Sequence, residues 1–66
     1  MMLIVNGKNQ QVQLNCTAEM LLKILNMGEK RLAMEVNEEI LPRSQFTQFQ
    51  FKAGDRVEIV QAIGGG

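Results

Sequence analysis

Apolar positions recur along the chain first with a period of two, then with the period of a helix, then with a period of two again. Met1 to Asn6 reads as a strand, with Leu3 and Val5 on one face and Met2 and Ile4 on the other. Asn6-Gly7 is a reversal signal, because both residue types tolerate the positive φ of a tight hairpin turn. Gln11-Val12-Gln13-Leu14 then alternates polar and apolar, which predicts a half-buried antiparallel partner strand. At Asn15-Cys16-Thr17 the period changes. Ala18, Leu21, Leu22 and Leu25 fall at i, i+3, i+4 and i+7, with Met20 and Ile24 widening the stripe and Lys23 and Asn26 on the wet side. Thr17 is placed to cap this helix and Glu19 to complement its dipole, while Gly28 is the expected left-handed C-terminal residue. The pattern predicts a helix over 18–27.

Leu32 to Asn37 reads as the next strand, with Leu32, Met34 and Val36 on one face. Asn37-Glu38-Glu39 predicts a turn, and Ile40-Leu41 a short return strand ended by Pro42. Residues 43–47 fit either a single helical turn or an irregular loop. Phe49 and Phe51 alternate with polar neighbours, Ala53-Gly54-Asp55 is a turn, and Arg56 to Ile63 is the last strand, with Val57 and Ile59 facing inward. The order β-β-α-β-β-β predicts an α+β domain over residues 1–63. Its mixed sheet of four to five strands packs on one main helix, as in the ubiquitin-like β-grasp. The first and last strands then lie parallel side by side, which the intervening crossover permits. Residues 64–66 are expected to form a flexible glycine tail.

Composition narrows the function. A chain of 66 residues holds one domain, and a domain this small buries only about 60% of its unfolded surface. Seven basic and seven acidic residues cancel without forming a block, which argues against a nucleic-acid surface and against a polybasic membrane anchor. The apolar run Met1 to Val5 is too short for a signal-peptide core or a membrane span. A single cysteine leaves no internal disulfide, so a cytoplasmic location is expected. Histidine, tyrosine and tryptophan are absent, and no phosphate-binding glycine motif occurs. A catalytic triad and the common zinc sites each lose a component. The residues describe no self-sufficient enzyme, no metal site and no bound cofactor.

The remaining candidate chemistry lies in Gly64-Gly65-Gly66. Glycine has no Cβ, so an extended glycine chain enters a slot that excludes side chains. The α-carboxylate of Gly66 is ionised at neutral pH and able to attack phosphorus; adenylated, it becomes an acyl donor. The plain alternative is a frayed end. Cys16 could carry a persulfide, but no basic neighbour in sequence lowers its pKa, and a packing role is the simpler reading. Glu38-Glu39, Lys30-Arg31 and Arg43 read as solvated charges, and Phe46, Phe49 and Phe51 as core filling. Met2, Ile4, Val60 and Ala62 share the sheet face opposite the helix. With Ile63 beside the tail, Ile4, Val60 and Ala62 make a candidate partner-docking face.

The runs Val36-Asn37-Glu38-Glu39-Ile40-Leu41-Pro42-Arg43, Gly54-Asp55-Arg56-Val57-Glu58-Ile59-Val60 and Ile63-Gly64-Gly65-Gly66 resemble the thiamine-biosynthesis sulfur carrier family ThiS. Leu3-Ile4-Val5-Asn6-Gly7 and Thr17-Ala18-Glu19-Met20-Leu21-Leu22 are similar too. The resemblance implies that Gly66 is adenylated by an E1-like, ThiF-type enzyme at the expense of ATP. A sulfur donor such as a cysteine desulfurase then converts the adenylate to a thiocarboxylate, and a ThiG-type thiazole synthase accepts the sulfur. The small subunit of molybdopterin synthase shares the fold and a Gly-Gly end. Its members usually carry prolines before the glycines, whereas Val60-Gln61-Ala62-Ile63 has none. A ubiquitin-like modifier joined to lysines through Gly66, or an adaptor domain with an idle tail, are the readings from other classes.

Overall fold

A computed structural model describes residues 1–28 and 31–61. Five strands and one helix follow in the order β1 (Met2–Val5), β2 (Lys8–Gln11), α1 (Ala18–Ile24), β3 (Leu32–Val36), β4 (Glu39–Leu41) and β5 (Arg56–Gln61), with a short 3-10 turn at Arg43–Gln45. They build one mixed sheet of order β2-β1-β5-β3-β4. β5 runs parallel to β1 and antiparallel to β3, as the expected β-grasp requires.

Local chemistry accounts for the hairpins. Asn6 and Gly7 take φ of 50° and 81°, the two successive left-handed residues of a type I′ turn, whose twist matches that of the flanking strands. The turn is so tight that Val5 pairs directly with Lys8. This corrects the expected second strand, which starts at Lys8 and not at Gln11. Val12 exchanges backbone contacts with Met1 just past its end, and Leu14, expected to face inward, is 71% exposed in the following bend. The Asn37-Glu38 turn of β3–β4 has the same form, with φ of 52° and 69°.

The helix also ends earlier than its apolar stripe suggests. Thr17 caps it, its Oγ1 accepting from the Met20 N–H at 3.2 Å. Phe49 and Phe46 carbonyls take the N–H groups of Ala18 and Glu19, so the segment after the 3-10 turn satisfies the open first turn. At the other end Asn26 is the left-handed residue, φ 59°, and not Gly28. The Met27 N–H reaches Leu22 O and the Asn26 N–H reaches Lys23 O, the bond pair of a Schellman motif. Ala18, Leu21 and Leu22 are buried as expected, but Ile24 is 49% exposed because it sits on the flank of so short a helix.

The core lies between α1 and one sheet face. Leu3, Leu21, Met34 and Val57 are its largest fully buried side chains, joined by Val5, Val36, Leu41, Ile59, Phe46 and Phe51. Phe49 meets Phe51 edge-on at 5.4 Å and, with Phe46, closes the end of the core beneath the helix.

Glu38 adopts a left-handed φ without a glycine's freedom or an asparagine's local hydrogen bonding. Replacing it, Glu38→Gly, trades that strain against extra unfolded-state entropy and should stabilise the fold by about 0.5–1 kcal/mol. Thermal melting should show a gain of about 2–8 °C, and a lower Tm would contradict the strain.

Candidate functional site

The candidate site is the end of β5 and the residues that hold it. Gly64, Gly65 and Gly66 lie outside the described residues, as do Ala62 and Ile63 of the candidate docking face and Lys30. Gln61 is the last described residue before them. The described geometry is therefore that of the strand before the glycines: how β5 is positioned, and what surrounds it.

β5 is central, flanked by β1 and β3. On the β1 side the backbone ladder is short. Ile4 N–H donates to Asp55 O and Asn6 N–H to Val57 O, and then β1 turns away. Asn6 continues the ladder with its side chain. Its Oδ1 accepts from the Ile59 N–H at 2.8 Å and its Nδ2 donates to the Ile59 carbonyl at 3.2 Å. A primary amide presents the same acceptor and donor as a peptide group, so Asn6 supplies the rung that a longer β1 would have made.

Asn37 does the same at the start of β5 from the other flank. Its Oδ1 accepts from the Arg56 N–H and its Nδ2 donates to Asp55 Oδ1, each at 3.0 Å, while its own N–H reaches Arg56 O at 2.7 Å. Asp55 Oδ2 in turn accepts from the Lys52 N–H at 2.8 Å, fixing the turn at Gly54, whose φ is +85°. Sequence reasoning assigned both asparagines to turns and missed their second task. The available signal was that each opens a two-residue hairpin turn beside the strand leading to the tail.

The strand register settles how the outer sheet face is laid out. Ile4 is half-buried and stands opposite Arg56, whereas Val60, 64% exposed, stands opposite Ala33. The two candidate docking residues share a face but lie four residues apart along β5, with Glu58 between. Glu58 is directly opposite Glu35, and Glu35 opposite Ile40, which is 75% exposed. The tail end of this face is thus apolar at Val60 and Ala33, and its middle is acidic.

The other singled-out residues fall elsewhere. Glu38 and Glu39 are exposed at the β3–β4 turn, and Arg31 is exposed before β3. The Arg43 guanidinium lies 5.9 Å from the Phe46 ring centroid, at the rim of a groove between α1 and the 3-10 turn that Leu22, Lys23 and Glu19 also line. That groove is on the helix side of the sheet. Cys16 is fully buried, in keeping with a packing role, and its Sγ faces Thr17 O at 3.5 Å. Burial raises its thiol pKa, the opposite of what a reactive sulfur requires. Among the described residues no helix is long and apolar enough to cross a membrane.

Comparison with known proteins agrees with this frame. The ThiS family matches residues 3–66. The chain belongs to the ThiS family. It is 30% identical to the sulfur carrier protein ThiS of Escherichia coli over 66 residues, covering all of both chains. A thiazole synthase of Paramagnetospirillum magneticum is 39% identical over 66 residues, all of this chain, which spans only 20% of that relative's length. The crystal structure of the thiamine biosynthesis protein ThiS from Geobacter metallireducens superimposes with a TM-score of 0.85, at 35% identity and full coverage of both chains.

The burial of Cys16 in this ThiS fold has two measurable consequences. Thiol reagents should label it slowly in the native protein and rapidly in denaturant. Its folded-state pKa is raised, so its contribution to stability is full below the ordinary thiol range and is lost as pH rises through that range towards the raised value. Urea titrations should show this decline above a pH of about 8.5, and Cys16→Ala should remove it. Equal labelling rates in the folded and unfolded protein would refute the burial.

Proposed function

We propose that this chain is the sulfur carrier of thiazole formation in thiamine biosynthesis, with the Gly66 carboxylate as its working group. Membership of the ThiS family over residues 3–66 carries this reading. In it, a carboxylate oxygen attacks the α-phosphorus of ATP on an E1-like, ThiF-type enzyme, and pyrophosphate leaves. The terminal sulfur of a donor persulfide, such as that of a cysteine desulfurase, then displaces AMP. A second thiol cleaves the resulting acyl disulfide, the donor and that thiol leaving as a disulfide, and the thiocarboxylate so released delivers its sulfur to a ThiG-type thiazole synthase. The carboxylate is regenerated, so the chain is a recyclable co-substrate and its partners do the catalysis, in the cytoplasm.

Several observations support the division of labour. A segment like this whole chain lies within a relative named thiazole synthase, which favours that enzyme as the acceptor. The sequence contains no histidine, and its one cysteine is buried with a raised pKa, so sulfur carriage falls to the tail and not to a thiol. Gly64 and Gly65 give the end access to a narrow slot. Ile4, Val60, Ala62 and Ile63 are the proposed docking face; of its two described residues, exposed Val60 is the nearer in sequence to the glycines.

Incubation with the E1-like enzyme, ATP and a sulfur donor should raise the intact mass by the difference between sulfur and oxygen. Deletion of Gly66 should abolish the change and leave the melting curve as it was. Isopeptide-linked products would instead support a modifier. In a deletion strain, loss of growth without thiamine and normal molybdoenzyme activity is expected; the reverse pattern would assign the chain to molybdopterin synthesis.

Val60 tests the docking face. Val60→Asp places a charge on a well-exposed position, so stability should change by no more than about 0.5 kcal/mol. Adenylation at limiting carrier should fall at least about tenfold if an apolar contact of roughly 1.4 kcal/mol is lost. Unchanged kinetics would remove this face from the interface.

A further inference from the structure

We propose that Asn6 is a positioning residue for the sulfur-carrying end: its side-chain amide anchors the last part of β5, the strand that precedes Gly64-Gly65-Gly66 in sequence. The inference rests on the carrier reading above and adds to it a residue remote in sequence from the tail. Asn6 and Ile59 are 53 positions apart, yet the two bonds between them, 2.8 and 3.2 Å, close a ring of amide on peptide. Their place in the ladder gives them consequence. The β1–β5 backbone register ends at Val57, so the Asn6 amide is the rung that holds Ile59 on that flank. Beyond it, among the described residues, Val60 and Gln61 are paired with Ala33 and Leu32 of β3.

Gly66 follows Ile59 by seven residues, a reach of at most about 25 Å. A partner that threads Gly66 into a slot needs the end of β5 in one place, so any order lost at Val60 and Gln61 must be restored on binding. Without the clamp, Val60 and Gln61 keep their pairing with β3 but together lose order equivalent to about one residue's backbone. Ordering one residue's backbone costs the equivalent of about a 5- to 30-fold change in an equilibrium constant. The loss falls on binding. Once the tail is seated the slot itself fixes the reacting carboxylate, so turnover at saturation is preserved.

Asn6 also occupies a left-handed turn position, so its replacement must keep that conformation. Asn6→Gly does so while deleting both bonds to Ile59. Gly7→Ala is the matched control: its φ of +81° strains any side chain, which lowers stability, but a Cβ there meets nothing within 4 Å and the clamp remains. Both variants of the full chain are assayed where melting curves show them folded. Asn6→Asp, which keeps the acceptor for the Ile59 N–H and loses the donor, serves if the glycine variant melts too low.

Two readouts decide the proposal. In amide exchange, Asn6→Gly should speed the Val60 N–H at least about tenfold relative to Leu3 and Met34 in the core, and Gly7→Ala should not. In ATP–pyrophosphate exchange by the E1-like enzyme, Asn6→Gly should raise the carrier's KM about 5- to 30-fold, with kcat within about twofold, while Gly7→Ala leaves both near wild type. An unchanged Val60 exchange rate, an unchanged KM, or a KM rise of equal size in Gly7→Ala would overturn the assignment. If the wild-type chain is not turned over at all, the carrier reading fails, and Val60 exchange still judges the clamp.

Discussion

Much of this fold depends on how β5 is held. It is the central strand, it carries the core residues Val57 and Ile59, and it leads to the glycine tail. Each neighbouring hairpin grips it with an asparagine from its turn. Asn37 binds Asp55 and Arg56 at its start, and Asn6 binds Ile59 towards its end. Four side-chain hydrogen bonds at about 1 kcal/mol each are a large share of the roughly 3–10 kcal/mol that stabilises a domain of this size. The pair on Asn37 is exposed and contributes less than the partly buried pair on Asn6.

The asparagines serve a wider economy of turns. Asn6, Asn15, Asn26 and Asn37 all take left-handed φ, at both hairpin turns, the bend after β2 and the helix C-terminus. A chain with so little core cannot spend many residues on loops, and asparagine is the side chain that enters this region readily while keeping a polar amide to use. Glu38 is the exception, a left-handed residue with neither advantage. Its strain is tolerated because Asn37 beside it and the β3–β4 pairing hold the turn.

Elements with strong periodicity were legible in the residues. Leu3 and Val5, Met34 and Val36, and Val57 and Ile59 pointed to the right face because strand alternation leaves them no other. The parallel placement of β1 and β5 followed from one helix-containing crossover. Errors came where tertiary context overrode pattern. Gln11 to Leu14 alternates, yet the two-residue turn starts pairing at Lys8 and uses up the strand before Leu14. Gly28 looked like a helix terminator, but Asn26 reached the left-handed position first. Neither the clamps on Ile59 and Arg56 nor the separation of Ile4 from Val60 could be read without the strand register. For the site, the residues pointed to Gly66 through the family resemblance, and the fold adds how its supporting strand is held.

A domain whose single cysteine is buried and whose proposed working group is the Gly66 carboxylate should carry sulfur at one place only. The direct test is top-down fragmentation of the protein after incubation with the E1-like enzyme, ATP and a sulfur donor. The added sulfur should reside in the fragment containing Gly66, in the wild type and equally in Cys16→Ala. Sulfur found on Cys16, or a chain that leaves the reaction with its original mass, would contradict the account.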